Sequence, residues 1–279
     1  MQVLHLERHG EIRDPFLEGV ARKIEQGGRL DLDDGLGCLH TWDLVGLGKL
    51  ALAKRKAIHG MRATFIRNLH LNYTNICANQ CTFCAFHRTQ EAPDGFLLGP
   101  DEAARRVCSS PVEPLREVHV AGGCHPGLDM DYYVGLIRAL KQARPQVRVK
   151  AFTAVEVDHM ASRAGIPAGE CLLILREAGL DVLPGGGAEV FSGRLRDLLF
   201  PKKTDAHRWL QIHGEAHGLG IPTNATLLFG HMETQRERVE HLLRLREQQD
   251  RTGGFQAFIP LPFQSRNTPL SHLRGPTGV

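Results

Sequence analysis

From Thr64 onward the sequence alternates short apolar runs with helical stretches, and that alternation restricts the chain to folds built on a parallel sheet. Strand-like runs are read over Thr64 to Tyr73, Arg116 to Ala121, Val147 to Phe152, Leu180 to Leu183, Pro222 to Phe229 and Phe255 to Ile259. Gly99-Pro-Asp-Glu-Ala-Ala opens a helix, and further helices are expected over Asp131 to Ala143, Glu170 to Ala178, Ser192 to Phe200, Thr204 to Leu219 and Glu233 to Asp250. Strands in series with helices between them pair in parallel through right-handed crossovers.

Such a series closes as a barrel or opens as a doubly wound sheet. Each strand here runs into a polar or glycine-rich loop: the cysteine-rich stretch after the first, then Ala-Gly-Gly-Cys-His-Pro, Phe-Thr-Ala-Val-Glu, Pro-Gly-Gly-Gly-Ala-Glu and Phe-Gly-His-Met-Glu. A barrel assembles its site from several loops at the C-terminal face, whereas a doubly wound sheet concentrates its contacts at one switch point. The barrel is the better match. A full barrel uses about eight units in about 250 residues, and the series read here is expected to lack the last two. Upstream, Leu44, Leu47, Ala51 and Ile58 keep a helical period and Gly60 supplies a stop. Residues 1–60 are therefore expected to form a helical N-terminal extension and residues 61–279 the α/β barrel.

Composition narrows the functional classes. The 34 basic and 31 acidic residues are dispersed, leaving a net charge of +3 and no basic run for nucleic acid or a membrane surface. No apolar run approaches the roughly 20 residues of a membrane span, and Met-Gln-Val-Leu-His-Leu-Glu-Arg is unlike a signal peptide, so the expectation is a cytoplasmic protein. Seven cysteines, an odd number in a chain long enough to bury its own core, argue against a disulfide scaffold. Cys38, Cys108 and Cys171 are expected to be small buried hydrophobes.

Of the other four, Cys124 follows Gly122-Gly123 and three concentrate in Asn75-Ile-Cys-Ala-Asn-Gln-Cys-Thr-Phe-Cys-Ala-Phe-His-Arg88. Cys77, Cys81 and Cys84 leave the end of the first strand, where a barrel puts its site. Iron-sulfur clusters are held by thiolates at such short spacings, and a cubane usually takes four. Three would leave one iron open to another ligand. The competing reading is zinc, with His87 completing a tetrahedron of three sulfurs and one nitrogen, although structural zinc sites usually draw ligands from two separate knuckles.

Cys77-x-x-x-Cys81-x-Phe83-Cys84 on the loop after the first barrel strand resembles the signature of the radical S-adenosylmethionine (SAM) enzymes. The resemblance implies a radical SAM barrel of the TIM type, a [4Fe-4S] cluster on the three thiolates, and SAM chelating the open iron. Asn72-Tyr-Thr-Asn-Ile-Cys, Gly122-Gly123-x-His125-Pro126, Leu183-Pro-Gly-Gly-Gly-Ala-Glu189 and Gln249-Asp-Arg-Thr-Gly-Gly-Phe255 are similar to the futalosine-pathway menaquinone enzymes and their deazaflavin relatives. Lys150-Ala-Phe-Thr-Ala-Val-Glu156, Thr223-Asn-Ala-Thr226 and Phe255-Gln-Ala-Phe-Ile-Pro-Leu261 resemble the aminofutalosine synthase family more than the cyclic dehypoxanthinylfutalosine synthases. That resemblance implies a transferase in which SAM is consumed as a substrate. Its 5'-deoxyadenosyl radical adds to 3-[(1-carboxyvinyl)oxy]benzoate, and loss of the carboxylate gives 6-amino-6-deoxyfutalosine. A low-potential electron donor is the implied partner, with no nucleic acid and no membrane.

Residue by residue, the resemblance gives Phe83 to the adenine and Gly122 and Gly123 to the methionyl amino group. Glu189 is given to the ribose or amino group and Arg194 to the SAM carboxylate. Polar groups expected at strand ends are Thr153 on the cofactor side and His125, Glu156, Asn224 and His231 on the substrate side. His213 and His217, although four apart on one helix, lack the glutamate of a zinc-protease motif and are expected to serve in helix packing or at the surface.

Overall fold

The structure, a computed structural model, describes residues 12–276. The chain divides into two compact units, residues 1–65 with 234–243, and residues 66–233 with 244–279.

In the first unit, α1 (Pro15–Glu25), α2 (Leu32–His40) and α3 (Leu44–His59) follow one another. Asp14, Asp31 and Asp43 accept backbone N–H groups at the three N-termini, and Gly60, at φ 62°, ends α3 where the sequence placed a stop. Leu17, Val20, Ala21, Ile24 and Leu50 form the unit's own small core.

The second unit is the barrel layer. It contains β1 (Asn68–Asn72), α4 (Pro100–Cys108), β2 (Glu117–Ala121), α5 (Met130–Ala143), β3 (Arg148–Ala151), α6 (Ala154–Ala164), α7 (Ala168–Ala178), α8 (Gly193–Leu199), α9 (Ala206–Gly218), β4 (Thr223–Phe229), part of α10 (Gln235–Thr252) and β5 (Phe255–Pro262). The named strands pair in parallel: β1 on β2 with Asn68 opposite Glu117, β2 on β3 with Glu117 opposite Arg148, and β4 on β5. Between the two sheets, Val182 bridges Lys150 and Leu183 bridges Thr223, also in parallel. The order is therefore the expected one, but the fourth strand shrinks to two bridged residues. Its ends explain the contraction: the Asp181 carboxylate takes the Val149 amide at 2.8 Å, and Pro184 has no N–H to continue the ladder.

One helix escaped the sequence reading. Phe-Thr-Ala-Val-Glu, expected to be a loop, opens α6 through a capping box in which Thr153 and Glu156 satisfy each other's backbone amides. Cys108 is also corrected, since it is exposed at the end of α4 while Cys171 is fully buried and Cys38 half-buried. Alternation along the strands sends Leu71, Val118, Val120, Val149 and Ala151 into the core shared with α5, α6 and α7, including Leu136, Ile137, Val157 and Leu172. The other strand face lines the barrel. No helix among the described residues is long and apolar enough to cross a membrane.

Candidate active site

The segment joining β1 to α4 carries the cysteines and is stitched to its surroundings by backbone bonds. Cys77 N–H donates to Arg88 O (3.0 Å), Ala78 N–H to Cys124 O (2.9 Å) and Thr82 N–H to Leu199 O (3.0 Å). Those bonds tie one loop to the turn after β2 and to the end of α8. All three thiols are free, with Cys81 buried and Cys77 and Cys84 half-buried. A hydrogen bond from the Cys124 thiol pulls Cys77 down to about 5, while burial pushes Cys81 up to about 12. Among the described residues no three His, Cys, Asp or Glu side chains converge at metal-binding distance. The donor set nevertheless fits a thiolate-held cluster: three unpaired thiols lie on one anchored loop beside a turn that only glycine can form. His87 Nδ1 lies 2.9 Å from Cys84 O, so the ring is turned to its own loop.

That turn is Gly122-Gly123. A β-carbon on Gly123 would lie 2.2 Å from Ile76 O and 2.8 Å from Cys77 Cβ, and one on Gly122 would lie 2.6 Å from the Tyr73 ring. Side chains here would push the cysteine loop away. Behind the glycines sits a buried carboxylate. Glu156 Oε1 accepts from Gly122 N–H (3.0 Å) and the Tyr73 hydroxyl (2.9 Å), and its Oε2 accepts from Thr153 N–H and Oγ1, both at 2.7 Å. Tyr73 Oη also lies 3.1 Å from Gly123 O. Burial raises Glu156 to about 7 against the pull of the Thr153, Tyr73 and Gly122 donors. Thus Thr153, Glu156, Gly122 and Gly123 come together, held by Tyr73, which in sequence is only the end of a strand-like run.

A second cluster gathers Phe83 and Glu189. Glu189 stands in the left-handed region at φ 48° and pairs with Lys203, which is only 6% exposed. The Lys203 ammonium lies 5.3 Å from the centroids of both Phe83 and Phe200, and those rings meet edge to face at 5.7 Å. Burial works against the Lys203 charge, but Glu189 together with Cys81 and Cys124 outweighs it and its pKa is raised. No local pattern in Pro-Lys-Lys-Thr marks Lys203. Its functional sign is spatial: it joins the cysteine loop, the segment after the fourth strand and the turn after α8.

The remaining expected residues are more dispersed. His125 is buried, with Nδ1 accepting the Gly127 N–H at 3.0 Å. His231, beyond β4, lies 3.2 Å from Leu228 O through Nε2 and 3.4 Å from Glu233 through Nδ1. Asn224 is the second residue of β4, its amide donating to Leu183 O at 3.0 Å beside the Pro-Gly-Gly-Gly turn. Arg194 is exposed on α8 and donates to Met232 O at 3.0 Å.

A family model described as the Radical SAM superfamily matches residues 71–245. The chain belongs to the radical SAM superfamily. This radical SAM chain is similar to aminodeoxyfutalosine synthase of Thermus thermophilus, 45% identical over 264 residues that make up 95% of this chain and 71% of the relative. The Streptomyces coelicolor aminodeoxyfutalosine synthase is 42% identical over 250 residues, 88% of this chain and 65% of the relative. The 5-amino-6-(D-ribitylamino)uracil–L-tyrosine 4-hydroxyphenyl transferase of Methanopyrus kandleri is 37% identical over 256 residues, 92% of this chain and 68% of the relative. The chain thus spans about two thirds of the length of these curated relatives. In fold, the crystal structure of methylornithine synthase superposes with a TM-score of 0.72 at 18% identity, covering 91% of this chain and 71% of that one. As a radical SAM enzyme the chain uses a [4Fe-4S] cluster and SAM.

Proposed function

We propose that this enzyme is a transferase that joins the 5'-deoxyadenosyl group of SAM to 3-[(1-carboxyvinyl)oxy]benzoate, forming 6-amino-6-deoxyfutalosine with loss of the carboxylate as a one-carbon species. The observation that carries the reading is the 45% identity with an aminodeoxyfutalosine synthase over 95% of the chain. When bound, the cluster and SAM supply a 5'-deoxyadenosyl radical by reductive cleavage, with the electron coming from a low-potential donor.

The protein's own part is to hold and orient. Cys77, Cys81 and Cys84 would hold the cluster, and the Gly122-Gly123 backbone, braced by Tyr73 and Glu156, would meet the methionyl amino group. Phe83 would lie along the adenine, and Glu189, in its left-handed conformation, is offered to the ribose or amino group. Arg194 is the candidate cation for the SAM carboxylate. Thr153 contributes by fixing Glu156. His125 and His231 lie beyond strand ends, and Asn224 sits beside the fourth-strand turn, on the substrate side. The seven free thiols suit a reducing compartment, the cytoplasm.

The test is anaerobic incubation of the cluster-reconstituted chain with the carboxyvinyloxy-benzoate, SAM and a strong reductant, followed by mass spectrometry. The adenosyl adduct is expected. Methionine formed without that adduct would overturn the assignment in favour of the cyclic dehypoxanthinylfutalosine or deazaflavin type of enzyme with the same cluster.

A further inference from the structure

The barrel-facing side of the first sheet carries a row of basic groups that no step above has used. Leu71, Val118, Val120, Val149 and Ala151 face the helices, so His70, His119 and Lys150 project from the other face. The register sets them side by side, with His70 opposite His119 and His119 opposite Lys150. The two imidazole rings meet edge to face at 5.0 Å. The row lies two residues before Asn72 and Ala121, the C-terminal residues of β1 and β2. At roughly 3.3 Å per residue that is a depth of about 7 Å below the strand ends.

The donors in this row are incompletely used. His119 is half-buried and has no hydrogen-bond partner among the described residues, and burial, with His70 and Lys150 nearby, holds its pKa down at about 4. It is therefore neutral at pH 7 and keeps one N–H to offer. Lys150 Nζ donates to Glu117 Oε1 at 2.7 Å, which uses one of its three hydrogens and satisfies a carboxylate only 2% exposed. His70 is exposed and its Nε2 lies 2.8 Å from Asn72 Oδ1.

We propose that His70, His119 and Lys150 form the seat for the aromatic carboxylate of the substrate, an inference that rests on the reaction proposed above for the identity of its ligand. That substrate has two carboxylates with different needs. The enol carboxylate sits on the double bond under attack and is lost, so it belongs at the mouth, level with the cysteine loop and the Gly122-Gly123 turn. The carboxylate on the ring survives and points away from the reacting carbons, down the barrel. The spare N–H donors of this row, one layer beneath the mouth, meet it there, and the Glu117–Lys150 pair keeps the ammonium in place before the ligand arrives. Recognition this far from the reacting atoms orients the alkene without touching it.

Calorimetric titration of the full chain with 3-hydroxybenzoate and with the neutral 3-hydroxybenzamide tests the seat directly, without turnover. The benzoate is expected to bind roughly tenfold or more tighter, the size of a charge-assisted hydrogen bond. His119→Phe is expected to bring that ratio close to one while thermal unfolding changes little. His70→Phe, at an exposed position, provides a second reading if the first variant folds poorly. Equal binding of the two probes by the parent chain, or an unchanged ratio in both variants, overturns the inference. A parent chain that forms the adenosyl adduct yet does not discriminate the probes loses the seat and keeps the reaction. One that discriminates but forms no adduct keeps the seat and loses the reaction.

Discussion

Two carboxylates flank the glycine turn and the cysteine loop, Glu156 fully buried and Glu189 half-buried, and they are stabilised by opposite means. Glu156 is surrounded by neutral donors, two backbone amides and two hydroxyls, with no cation in contact among the described residues. Glu189 has a buried ammonium, Lys203, boxed by two aromatic rings. Neutral donors soften the cost of burying charge without removing it, so Glu156 is raised to about 7 and its charge is conditional. A paired cation offsets that cost directly but leaves each partner dependent on the other. The first arrangement suits a brace that must hold backbone in place. The second suits a group to be offered to a ligand's hydroxyl or ammonium.

The largest effect expected from breaking this contrast is at Lys203. Lys203→Met leaves the Glu189 side chain, 12% exposed, without its cation and should cost about 3–5 kcal/mol of stability, read from chemical denaturation. Adding Glu189→Gln to the same chain should recover most of the loss, because the uncompensated charge is gone. If Lys203→Met alone is nearly neutral, the pair contributes little and the contrast fails.

Next in size is a pH dependence confined to the other carboxylate. The ordinary value for Glu156 is 4.5 and its folded value is about 7, so the folded state binds the proton more tightly than the unfolded one. Its contribution to stability is fully present below about 4.5 and is lost as the pH rises through about 7. The loss amounts to about 3 kcal/mol between those limits. Glu156→Gln should flatten this slope in unfolding measurements between pH 5 and pH 8, whereas Lys203→Met/Glu189→Gln should leave it in place. A slope that survives Glu156→Gln belongs to another group.

The parts of this site differ in how far the sequence announces them. Strand and helix alternation was legible because each element carries its own period, and the cysteine spacing and the Gly-Gly pair are local patterns. The capping box that opens α6 is also written locally, as Thr153-Ala-Val-Glu156, but it abuts a strand without an intervening turn and so resembles a loop in sequence. The fourth strand's contraction depends on Asp181 reaching back to Val149, a long-range bond no local pattern marks. Lys203 and Tyr73 belong to the same class. A lysine in a turn and a tyrosine ending a strand look ordinary until the fold brings Glu189 and Glu156 to them.

The smallest predicted effect separates bracing from charge. Tyr73 Oη has one hydrogen and two acceptors within reach, Glu156 Oε1 and Gly123 O. Tyr73→Phe keeps the ring, which meets Tyr133 and Phe152 edge to face at 6.0 and 5.7 Å, and removes only the hydroxyl. The expected cost is about 1–2 kcal/mol. Because that hydroxyl donates to the ionised carboxylate, its removal should move the Glu156 transition to higher pH, shifting the midpoint of the stability slope upward. The same variant loosens the Gly122-Gly123 turn, so SAM binding should weaken by a few fold while iron and sulfide content stay at the parent level. A Tyr73→Phe chain with unchanged SAM affinity and an unmoved pH midpoint would show that the ring alone, through its packing, holds the turn. The carboxylate would then serve as the cap of α6 and nothing more.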